Sequence, residues 1–118
     1  MHEMSIAASI LDSVLDHAKN LERVEEVHLS VGCLMMLNAE QLRFGFDMLA
    51  RGTIAEGARV RVEITKAKLA CGNGHETDIE VKELVMDHLL PALRCGECGS
   101  PTRILEGRDL ILTRIVGE

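Results

Sequence analysis

Apolar residues recur at helical spacing from Met4 to Ala18. Ile6, Ala7, Ile10, Leu11, Val14 and Ala18 share one stripe, while Asp12, Asp16 and Lys19 lie off it. This predicts an amphipathic helix that stops near Asn20, with residues 1 to 3 just ahead of its N-terminus. The period then changes to two. Val27, Leu29 and Val31 alternate with Glu26, His28 and Ser30, the pattern of a half-buried strand. Asn38 followed by Gln41 resembles a capping box and opens a second helix, with Leu42, Phe46 and Leu49 as its buried stripe and Gly52 and Gly57 beyond its end. From Arg59 to Lys66, Val60, Val62 and Ile64 face one way and Arg61, Glu63 and Thr65 the other, a second strand. Asp109 to Val116 is apolar on both faces, which suits a central strand.

Between these strands the texture differs. From Cys71 to about Arg103 a Gly or Pro stands at positions 72, 74, 91, 96, 99 and 101, which reads as a loop-rich lobe. Inside it, Lys82 to Leu90 fits a helical turn or a strand equally well. The last strand is too apolar to stand alone, so it is expected to return to the earlier two. The fold class that follows is α/β: two helices on a small mixed three-stranded sheet, with an inserted zinc-ribbon-like lobe. Residues 1–68 with 108–118 form the first domain and 69–107 the lobe.

Composition narrows the function. With 13 basic against 19 acidic residues, the net charge is −6, the wrong sign for the phosphate backbone of nucleic acid. No apolar run approaches the roughly 20 residues that span a bilayer. The opening MHEMSIAASI lacks a basic segment followed by an apolar stretch, so no secretory signal is expected and the chain reads as cytoplasmic. Cysteines in that compartment are reduced, and closely spaced ones point to metal rather than to disulfides. Cys33 stands apart from the others and reads as a small buried hydrophobe.

Cys95-Gly96-Glu97-Cys98 is a knuckle, two thiolates on one tight turn. Cys71 and His75 make a second half-site. Three sulfurs and one imidazole fill a tetrahedral zinc shell, though His88, a carboxylate or water would also serve as the fourth ligand. Two other chemistries use similar residues. A thioredoxin-like motif needs its CxxC at a helix start, but Gly99-Ser100-Pro101 follows here. A nucleobase deaminase needs H-x-E and then P-C-x-x-C, whereas His75 and Glu76 are adjacent and Arg94 precedes Cys95. A closed structural zinc site remains, with no open position for reaction.

Metal transfer must then use another place, and Met1-His2-Glu3 offers one. A free α-amine, the following main-chain amides and an imidazole at residue 2 supply several nitrogens to one ion, and Glu3 adds negative charge. Tetragonal nitrogen donation suits Ni(II) or Cu(II) rather than zinc.

The opening Met1-His2-Glu3-Met4-Ser5-Ile6-Ala7, Val31-Gly32, Leu42-Arg43-Phe44-Gly45-Phe46 and the two-part cysteine motif together resemble the HypA/HybF nickel metallochaperones of [NiFe]-hydrogenase maturation, over essentially the whole chain. The resemblance implies Ni(II) binding at Met1, His2 and Glu3 through the histidine and neighbouring main-chain nitrogens. It implies a structural zinc held by Cys71, Cys95 and Cys98. Gly74, next to His75, stands where the family has its remaining cysteine. It further implies a HypB-type maturation GTPase and the hydrogenase large subunit as partners, urease maturation factors as a second destination, and carriage rather than catalysis. The rival class is a zinc-ribbon protein-interaction adaptor with no nickel role.

Overall fold

The computed structural model describes residues 2–79, 94–95 and 97–118. The expected element at Lys82 to Leu90 lies outside the described residues. Along the chain run α1 (His2–His17), β1 (Val24–Gly32), a short 3-10 turn (Cys33–Met35), α2 (Ala39–Ala50), β2 (Arg59–Thr65), β3 (Ala67–Cys71), β4 (Glu76–Ile79), β5 (Thr102–Glu106) and β6 (Leu110–Gly117). The strands form two three-stranded sheets, ordered β2-β1-β6 and β4-β3-β5.

The chain divides into two compact units. The first comprises Met1–Ser30, Leu37–Glu63 and Ile111–Glu118. Its buried residues come mainly from α1 (Ala7, Ile10, Leu11, Val14), from β1 (Val24, Val27, Leu29) and from α2 (Leu42, Phe46, Ala50). These are the stripes that the 3.6 and 2.0 periods mark out, with one correction. Ala50 faces inward and Leu49 is exposed, because the inward face of α2 runs through Leu42, Gly45, Phe46 and Ala50 rather than drifting to Leu49. Gly45 lets α1 come close, with the Met4 sulfur and Ala7 set against it.

Asn38 caps α2, its Oδ1 accepting the Gln41 N–H at 3.0 Å. The reciprocal half of a capping box is filled from elsewhere. The Asn38 N–H donates to Glu3 Oε2 at 3.2 Å, so the first turn of α1 is tied to the start of α2.

The mixed sheet confirms that the last strand returns to the first. The expectation that it lies centrally is wrong. β6 is an edge and β1 is the centre. The reason is burial: β1 carries Val24, Val27, Leu29 and Val31, all under 3% exposed, whereas Ile111 of β6 is 53% exposed.

The second unit comprises Val31–Met36 and Ile64–Leu110. It holds more regular structure than its glycines suggest. β3 pairs antiparallel with both β4 and β5, and Cys33, Ala67 and Leu69 form a small core joined by Leu34 and Ile104. Cys33 is therefore a buried apolar side chain, as its surroundings in the sequence suggest. The three short strands escape the sequence pattern because they run only four or five residues each, too few to repeat a period.

Candidate metal centre

Strand pairing builds the site. Cys71 ends β3, and the chain turns at once: Gly74 N–H donates to Cys71 O at 3.1 Å and Cys71 N–H to His75 O at 2.9 Å. Gly74 sits at φ +90°, where a side chain would be strained. This turn sets two main-chain donors on the Cys71 sulfur, from Asn73 and from His75, each at 3.4 Å. The second turn lies immediately before β5. Cys95 N–H donates to Ser100 O at 3.0 Å, Gly99 N–H to Cys95 O at 2.8 Å, and Glu97 N–H to Cys95 Sγ at 3.4 Å. Cys71 is opposite Thr102 in the β3–β5 register, so pairing the two strands brings the two turns together.

The four expected side chains converge. One ligand atom from each of Cys71, His75, Cys95 and Cys98 lies within 4.8 Å of all the others. Their separations can be set against a tetrahedron. Zinc bonds of about 2.3 Å to sulfur and about 2.0–2.1 Å to nitrogen imply edges of about 3.8 Å between sulfurs and about 3.6 Å between sulfur and nitrogen. The Cys71 and Cys98 sulfurs are 3.8 Å apart, and His75 Nδ1 is 3.4 Å from Cys71 Sγ and 3.5 Å from Cys95 Sγ. The donor set therefore fits a zinc-sized ion in both chemistry and spacing. Of the alternative fourth ligands, His88 lies outside the described residues.

Electrostatics lower the pKa of two of the three thiols and raise that of the third thiol and of the imidazole. The Ser100 hydroxyl, 3.3 Å from Cys98 Sγ, acts with the Ser100 main-chain N–H, the Asn73 amide and His75 to pull the Cys98 thiol down to about 5. Cys71 is also lowered; burial works against this, and the N–H groups of Asn73 and His75 overcome it. Cys95 is raised by burial and by its neighbours Cys98 and Cys71, which outweigh the donors from the Glu97 and Cys98 N–H groups. The His75 imidazole is raised, chiefly by the Cys98 sulfur and further by the Glu97 carboxylate, whose Oε2 is 2.9 Å from Nε2. Asn73, Ser100 and Glu97 are absent from the sequence-based site. Only their positions inside or beside the two turns hint at them.

At the other candidate site, Met1 and the His2 side chain lie outside the described residues. The helix begins earlier than its apolar stripe suggests, at His2 rather than near Met4, so Glu3 is in the first turn. The Glu3 carboxyl is held below its ordinary range, mainly by the Asn38 N–H.

The comparisons with known proteins bear on the whole chain. Residues 1–117 match the family described as "HypA: Hydrogenase/urease nickel incorporation, metallochaperone, hypA". The chain belongs to this family. A hydrogenase maturation factor HypA from Methanothermobacter thermautotrophicus is 42% identical, the match covering 84% of this chain and 81% of that one. Another from Archaeoglobus fulgidus is 38% identical across 100% of this chain and 99% of its own. The fold matches the solution structure of the nickel metallochaperone HypA from Helicobacter pylori with a TM-score of 0.67 at 18% identity, over 98% of this chain and 96% of that one. A second HypA solution structure matches with a TM-score of 0.68 at 20% identity, over 100% and 97%. Among the described residues, no helix is long and apolar enough to cross a membrane.

Proposed function

We propose that the protein is a nickel carrier and not an enzyme. Ni(II), its cargo, is taken up at Met1, His2 and Glu3 and delivered to the large subunit of a [NiFe]-hydrogenase in the cytoplasm. A HypB-type GTPase assists, and urease maturation is a second destination. Zinc is the resident metal, held by Cys71, His75, Cys95 and Cys98 in a structural lobe of residues 69–107, while residues 1–68 with 108–118 form the nickel-binding domain.

The observation that carries this reading is the family match over residues 1–117 to a nickel-incorporation metallochaperone. The helix start supports it. The short stretch from residue 1 to residue 3 leads straight into α1, which places its main-chain nitrogens beside the His2 position. Several nitrogens on a short terminal stretch suit Ni(II), whereas the sulfur-rich cluster suits zinc. The Glu3 carboxylate, which accepts the Asn38 N–H, adds negative charge beside the cargo site. Four protein ligands on zinc leave no open coordination position, which supports a structural role for that ion.

Acetylating the α-amine tests the proposal. A nickel carrier of this design loses Ni(II) binding and keeps its zinc. A zinc-ribbon adaptor shows no nickel binding that depends on the amine.

A further inference from the structure

His75 turns its two ring nitrogens to different neighbours. Nδ1 faces the sulfurs of Cys71 and Cys95 at 3.4 and 3.5 Å, the spacing of ligands around one ion. Nε2 is 2.9 Å from Oε2 of Glu97. An imidazole that binds a metal through one nitrogen keeps its proton on the other. The group that accepts that proton's hydrogen bond fixes both the tautomer and the plane of the ring.

We infer that Glu97 is a positioning residue for the metal centre: its carboxylate accepts the Nε2–H of His75 and holds the ring with Nδ1 aimed at the ion. The inference rests on the reading of this cluster as a zinc site. A thiolate needs no such partner, since a sulfur can rotate about one bond and still present a lone pair. An imidazole ligates only in its own plane, so a site with one histidine among three cysteines gains from a group that sets that plane. Glu97 also belongs to the opposite half-site. His75 follows the β3 turn, whereas Glu97 stands between Cys95 and Cys98, so the second turn both supplies two sulfurs and clamps the ligand of the first.

The Glu97 side chain is 71% exposed. As an ordinary surface pair its loss would alter metal retention only a few-fold. Through a metal-bound ring, where the partner raises ligand basicity and fixes orientation, the expected effect is roughly ten- to a hundredfold.

The experiment uses the zinc-loaded full chain with Glu97→Ala and Glu97→Gln. Both variants keep the main-chain N–H that donates to Cys95 Sγ. Zinc content, zinc release to a chelator and the long-range proton–nitrogen NMR spectrum of His75 are measured together. Wild type is expected to show a metal-bound Nδ1 and a protonated, hydrogen-bonded Nε2. Glu97→Ala should release zinc roughly tenfold faster or more and lose the hydrogen-bonded Nε2–H signature, with Glu97→Gln, which still offers an accepting oxygen, between the two. Zinc-loaded wild type with Nε2 on the metal overturns the proposal. So does Glu97→Ala with a release rate within about twofold of wild type and an unchanged His75 spectrum. A wild type that binds no zinc overturns the zinc reading itself, and the role of Glu97 with it.

Discussion

Gly32→Ala should be one of the most damaging small changes available in the second unit. Gly32 has φ −65° and ψ 136°, ordinary extended backbone that alanine adopts freely. On conformational grounds alone, alanine would stabilise by about 0.4–1 kcal/mol through the unfolded chain. Space decides otherwise. A Cβ on Gly32 would lie 2.2 Å from both the carbonyl carbon and oxygen of Gly107, where ordinary contact begins at 3.4 Å. The two segments must part by about 1.2 Å, and what blocks them is main chain, with no flexible side-chain end to swing away. Gly107 is itself closely packed, with Ala67 and Leu34 near where its own Cβ would stand. Parting the segments breaks two hydrogen bonds, Gly32 N–H to Asp109 O at 2.7 Å and Leu34 N–H to Gly107 O at 2.9 Å. At about 1 kcal/mol each, with about 1–3 kcal/mol of overpacking strain and the alanine gain subtracted, the net loss is about 2–4 kcal/mol. For a chain of this size that lowers the melting temperature by about 8–16 °C. Urea unfolding of the zinc-loaded protein followed by circular dichroism reads the loss directly. Gly72→Ala, where nothing lies within 4 Å, is the matched control. A Gly32→Ala protein within about 0.5 kcal/mol of wild type would refute the reasoning.

The lobe should respond to its ligands as a unit. Purified protein is expected to carry one zinc, and Cys95→Ala or chelation should lower the unfolding midpoint of the second unit, because binding to a site absent from the unfolded chain is folding free energy; equal stability of loaded and stripped protein would contradict this. Acid should release the zinc as its ligands take up protons, read by a colorimetric metal indicator. In the stripped protein the depressed Cys98 pKa sets the sign. Its stabilising contribution is full above the ordinary thiol value of 9.0 and is lost as pH falls through about 5. Cys98 is also exposed, so at neutral pH it should be the first cysteine alkylated by iodoacetamide, with protection by zinc and loss of reactivity below pH about 5. Uniform alkylation of the three site cysteines would count against that ordering.

Much of the first unit is written in residue periodicity. The stripe through Ala7, Ile10, Leu11 and Val14 and the alternation through Val27, Leu29 and Val31 both face the interior. Those segments are long enough to repeat their period several times. The lobe is less legible because its strands run four or five residues, too short to show one. Its glycines read as loop although two of the turns they mark are the frame of the metal site. The four side chains that converge were legible from chemistry, since closely spaced thiols beside an imidazole form a metal-ligand set. What holds them was not. The Asn73 and Glu97 contacts depend on the register of β3 with β5, which no local pattern encodes, whereas Ser100 meets Cys98 within its own turn. Likewise, the tie from Glu3 to Asn38 joins residues 35 apart, and the sequence shows only a cap at one end of it.

Nickel binding at the N-terminus is the central claim, and an isothermal titration of Ni(II) into untagged His2→Ala beside untagged wild type tests it most directly. Residue 2 belongs to the first unit and the zinc ligands to the second, so zinc content and folding should be unchanged by the substitution. Residues added before Met1, which move the α-amine away, should do similar damage, while Glu3→Gln should cost less because its main-chain nitrogen survives. The account predicts specific Ni(II) binding in wild type and none in His2→Ala. His2→Ala that binds nickel as tightly as wild type would place the carrier site elsewhere and contradict the account.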